Sequence, residues 1–90
     1  MANFSVISLP GPNAKLALNI TEKYGNNSLA IANNAWFIRD DVTTKDVCDK
    51  IGVGRGTENV GQVVVTKVES YFGFAPAHIW EWLTAKSVSE

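Results

Sequence analysis

An α+β domain of element order β-α-β-β-α-β, closed by one further helix, is what this sequence predicts, and three observations carry the prediction. Short β-prone runs alternate with apolar stripes of helical spacing. Glycine, proline and asparagine stand at the junctions between them. The chain has 90 residues, 46% of them apolar and 19% charged, with three prolines, which suits one compact core and neither a second domain nor a disordered chain. Residues 1–90 are therefore read as a single domain.

Each element has its own warrant. Residues 3–9 (Asn-Phe-Ser-Val-Ile-Ser-Leu) are rich in β-formers and stop at Pro10-Gly11-Pro12, so they form a first strand and a turn. From Asn13 to Tyr24, Leu16, Ala17, Ile20 and Tyr24 share one helical stripe. Pro12 or Asn13 suits its amino end, Gly25 suits its carboxyl cap, and Leu18 lies off the stripe. Ser28 to Asp40 reads as a hairpin, with Trp36 and Ile38 alternating on the return strand and Asn33-Asn34 expected to take left-handed dihedrals in the turn.

Thr43-Thr44-Lys45-Asp46 has the form of a capping box, and Val47 and Ile51 follow at helical spacing before Gly52. Gly52 to Gly61 is a loop, and Gln62 to Val68, with its valines, is expected to be a central or well-buried strand. Pro76 opens a closing helix to about Lys86, with Ile79, Trp82 and Leu83 as its apolar stripe. The order is that of the split β-α-β, or ferredoxin-like, arrangement, in which two helices cover one face of an antiparallel sheet. The other face then needs cover, from the last helix or from a second subunit.

Composition narrows function by exclusion. Eight basic against nine acidic residues leave a net charge of −1, which provides no general attraction for nucleic acid or an anionic membrane. No apolar run is long enough to span a bilayer, and the amino terminus has no secretory pattern, so no membrane contact and a cytoplasmic location are expected. Cys48 is the only cysteine and His78 the only histidine, so no multi-cysteine metal site and no cofactor are expected. Cys48 is read as lying beside Val47 and Ile51 on a helix and packing as a small hydrophobe.

The glycine-rich loop around Arg55 fits neither G-x-G-x-x-G nor a P-loop, and it precedes a strand where both motifs precede a helix. Asp40, Asp41, Asp46 and Asp49 fit capping and a solvated turn better than catalysis. No catalytic residue is assigned.

One feature stands out from this composition. Tyr71, Phe72, Phe74, Trp80 and Trp82 place five of the nine aromatic residues within twelve positions. Successive helical residues step by about 100°, so Trp80 and Trp82 stand about 160° apart and do not share one inward face. The expected function is a non-enzymatic protein-interaction module, bound to a protein partner or to a second copy as a homodimer, with these five residues as the contact set.

The element order is also that of RNA-recognition motifs, although the chain lacks their [KR]-G-[FY]-[GA]-[FY] signature. In that order, and in its Trp36-Phe37-Ile38 strand followed by Thr43-Thr44, the chain resembles the small ferredoxin-like dimers of the CRISPR-associated Cas-two type. The resemblance implies the alternative function, nucleic-acid binding with or without cleavage. Arg39, Arg55 and Lys67 would contact phosphates and Trp36 would stack on a base. The family's aspartate at the end of the first strand is replaced here by Leu9-Pro10. The ending from Tyr71 to Trp82 is similar to that of small uncharacterised bacterial proteins, a likeness that implies no activity.

Overall fold

A computed structural model describes residues 2–54, 60–70 and 72–88, with side chains through Thr84. The elements follow in the order β1 (Ala2–Ser8), α1 (Ala14–Tyr24), a 3₁₀ turn (Gly25–Asn27), β2 (Ser28–Ala32), β3 (Ala35–Asp40), α2 (Thr44–Ile51), β4 (Val63–Lys67) and α3 (Ala77–Val88). The four strands form one antiparallel sheet in the order β2-β3-β1-β4. This is the ferredoxin-like α+β arrangement with an added C-terminal helix.

Local chemistry accounts for the boundaries. Asn13 caps α1 by accepting from the Leu16 N–H at 3.1 Å, and its amide donates to the Val60 carbonyl at 2.7 Å, which ties the loop before β4 to the start of α1. At α2 the capping box is complete: the Thr43 hydroxyl accepts from the Asp46 N–H and the Asp46 carboxylate accepts from the Thr43 N–H. Gly52 closes α2 at φ 87°, a left-handed value that a side chain would strain.

Period-2 alternation then sorts the strands into two faces. Phe4, Val6, Trp36 and Ile38 point to one side and join Leu16, Ile20, Tyr24, Val47 and Ile51 from α1 and α2 in the main core. Val63 and Val65 pack against the same cluster.

Two expectations are corrected. The valine-rich strand β4 is an edge strand rather than a central one, and its Val64 is exposed. High β-propensity marks a strand but not its place in the sheet. The hairpin turn at Asn33-Asn34 does not use left-handed dihedrals: among the described residues every positive φ belongs to a glycine. The register instead slips by one residue between Ala30 and Ala32, and this bulge supplies the local twist. Asn34 is held by the end of β1, its amide donating to the Ser8 carbonyl at 3.2 Å and its own carbonyl accepting from the Ser8 N–H at 2.8 Å.

The second face of the sheet is covered in part by α3. Leu83, fully buried, lies apart from the main core. Asn3 and Arg39, cross-strand neighbours on that face, reach two successive carbonyls of α3: Asn3 Nδ2 donates to Leu83 at 3.3 Å and Arg39 Nη2 donates to Trp82 at 3.1 Å. Further along the same face, the neighbours Ile7 and Val64 stay exposed, at 39% and 45%.

Candidate functional site

The aromatic segment divides into two inner rings and two outer ones. On α3, Trp82 turns toward the sheet. Its ring is inclined by 19° to that of Phe37, with centroids 6.5 Å apart, and the Arg39 guanidinium carbon sits 3.4 Å from its centroid. Trp80, on another side of the helix, is half-buried against the segment that precedes α3. Its indole Nε1 donates to the Ala75 carbonyl at 3.2 Å, and its Cη2 lies 3.8 Å from where a Cβ on Gly73 would stand. Residues 73–75 therefore rest on the Trp80 ring.

Phe72 and Phe74, which flank Gly73, are fully exposed, at 102% and 104%. Two phenylalanines in this state leave a large apolar area in water with no compensation from the fold. Tyr71 lies outside the described residues. The contact set read from the sequence is thus brought together only in part: Phe72 and Phe74 form the outward surface, Trp80 is the support beneath it, and Trp82 belongs to the joint between helix and sheet. The roughly 160° between the two tryptophans already pointed to that division.

The residues assigned to nucleic-acid contact are scattered. Trp36 is buried in the main core, where its ring meets side chains and cannot stack on a base. Arg39 is 2% exposed and engaged by Trp82 and by Asn26 and Asn27. Lys67 is exposed at the end of β4, and Arg55 lies outside the described residues.

The carboxylates have structural partners. Asp40 accepts from the Tyr24 hydroxyl at 2.8 Å, from Lys50 at 2.7 Å and from the Asp41 N–H at 2.7 Å. Burial alone would raise its carboxyl, but the hydrogen bonds from Lys50, Tyr24 and Asp41 outweigh that and hold it below the ordinary value. Tyr24 is pushed well up, first by burial and then by its bond to Asp40. Asp49 pairs with Lys45 on the same helix face, and Asp46 caps α2. Among the described residues, no group of three or more His, Cys, Asp or Glu could hold a metal ion.

Cys48 is half-buried on α2, and its thiol is raised by burial and by Asp49, against a smaller opposing effect of Lys45. His78 is exposed at the start of α3, and the two helices lie on opposite faces of the sheet, so these residues do not form a pair. A shallow depression of about 300 Å³ between α1 and α2 is lined by Lys15, Asn19, Glu22, Lys23, Lys50 and Gly52. Its Lys50 is paired with Asp40, and its Asn19 donates to the Ile51 carbonyl. Among the described residues no helix is long and apolar enough to cross a membrane. No protein-family model matches the chain, and no curated protein matches it.

Proposed function

We propose that this protein is a non-enzymatic interaction module that docks a protein partner through Phe72 and Phe74. The observation that carries the reading is the full exposure of both rings on a segment that Trp80 holds in place. Exposed rings on a supported segment bind at lower entropic cost than rings on a free tail, and aromatic side chains dominate binding energy where they enter a partner's pocket.

Trp82 and Arg39 act one step removed, by fixing α3 and hence Trp80 on the sheet. The test is a comparison of wild type with a Phe72→Ser/Phe74→Ser double variant in capture of a stoichiometric partner from the source cells. The reading requires the partner to be lost from the double variant while its unfolding curve is unchanged. Equal capture by both chains would refute it.

A further inference from the structure

The two edges of the sheet are not equally protected. The β2 edge is interrupted by the bulge between Ala30 and Ala32, a feature that discourages pairing with another chain. The β4 edge, Val63–Lys67, has an unbroken register with β1, no proline, and a charge only at its last residue.

Hydrogen-bond phase shows which groups face outward. The Leu9 N–H donates to Gln62 and the Val68 N–H donates to Asn3, so the even-numbered residues of this stretch bond to β1. The N–H and C=O groups of Val63, Val65 and Lys67 therefore point away from the sheet, and among the described residues no backbone hydrogen bond crosses this edge. Exposed Val64 lies beside it, next to exposed Ile7.

We infer that β4 pairs antiparallel with β4 of a second copy of this chain about a two-fold axis that passes between the two Val65 residues. That register uses all three outward residues, setting Val63 opposite Lys67 of the second copy and Val65 opposite Val65. It places Val64 opposite Thr66, so that the exposed Val64 side chains of the two copies, each beside its own Ile7, become diagonal neighbours on one face across the joint. No like charges meet, and the outward groups at 63, 65 and 67 are symmetric about Val65, so a second copy matches this edge group for group. The result is a four-stranded sheet doubled into one continuous sheet, with α1 and α2 of both copies on the same side. This self-pairing is independent of the partner docked by Phe72 and Phe74.

Two variants test it. Val65→Pro removes an outward N–H and leaves the bonds between β1 and β4 in place. Sedimentation equilibrium should show a dimer for wild type and a dissociation constant weakened about tenfold or more for Val65→Pro. In a Cys48→Ser background, opposed residues at a non-hydrogen-bonded position have Cα atoms about 4.5 Å apart, within disulfide reach. A mixture of Val64→Cys and Thr66→Cys chains should therefore cross-link on oxidation, and this arm stands even if the proline variant does not fold. A wild type that stays monomeric at high concentration would overturn the inference, as would a dimer that forms no 64-to-66 cross-link. So would a dimer lost in Phe72→Ser/Phe74→Ser but kept in Val65→Pro, since that would assign self-association to the rings.

Discussion

Arg39 holds Trp82 twice: its guanidinium carbon sits 3.4 Å from the indole centroid, and its Nη2 donates to the Trp82 carbonyl at 3.1 Å. A buried cation on the sheet thus grips both the ring and the backbone of α3, the helix that carries Trp80 and sets the aromatic segment in place.

Removing that grip should cost stability. Arg39→Ala is expected to lower the unfolding free energy by about 2–4 kcal/mol, through a lost desolvated cation–π contact and lost charge-assisted hydrogen bonds. Arg39→Lys should restore little, because an ammonium cannot stack flat on the indole and reach the carbonyl at once. Urea unfolding, with a double-mutant cycle against Trp82→Leu, measures the coupling. A coupling near zero would show that the contact is incidental.

The Asp40 cluster makes stability depend on acid. A carboxyl whose value is lowered on folding adds stability that is complete above its unfolded pKa of about 3.9 and is lost as the pH falls through the lower folded value. Asp40→Asn should therefore be less stable than wild type by about 1–3 kcal/mol near neutrality, and the gap should narrow toward about pH 3. Unfolding of both chains at the two pH values checks this. A gap of constant size would mean that the partners of Asp40 do not depend on its charge.

The start of α2 rests on Thr43 and Asp46. Thr43→Ala should cost about 1 kcal/mol, and adding Asp46→Ala should cost less than the sum of the two single effects, since both residues serve one reciprocal pair of bonds. Thermal unfolding of the three variants tests the non-additivity.

Cys48 should react slowly. Its thiol is raised by burial and by Asp49, so less thiolate is present near neutral pH than in the unfolded chain. Alkylation of the native protein should be slower than alkylation in urea by more than the effect of urea on a free thiol. Equal rates would indicate that the thiol is open to solvent.

Most of the fold was legible from local chemistry. The capping box at Thr43, the stripe of Leu16, Ile20 and Tyr24, and the helix-ending Gly25 and Gly52 need only near neighbours in sequence to be read. Long-range facts were not available in that way. Nothing within Gln62 to Val68 reveals that β1 is its one neighbour within the sheet, because four valines suit an edge strand as well as a central one. Nor does the Asn33-Asn34 pair reveal that Ser8 would bind Asn34 and that a bulge would take up the twist.

The candidate site divides along the same line. The surplus of rings near the end of the chain and the opposed directions of Trp80 and Trp82 followed from composition and helical geometry. That Arg39 would be buried under Trp82, and Trp36 inside the main core, depended on which face of β3 each occupies. Alternation separates the two residues but does not say what covers either face.

The central claim is that Phe72 and Phe74 form a docking surface and are not merely stray exposed residues. Photo-cross-linking in the source cells tests it most directly, with benzoylphenylalanine placed at Phe74 and, as a control, at Leu18, an exposed apolar residue on α1. The account expects one discrete adduct with a partner protein from position 74 and none from position 18. The same diffuse labelling from both positions would contradict it.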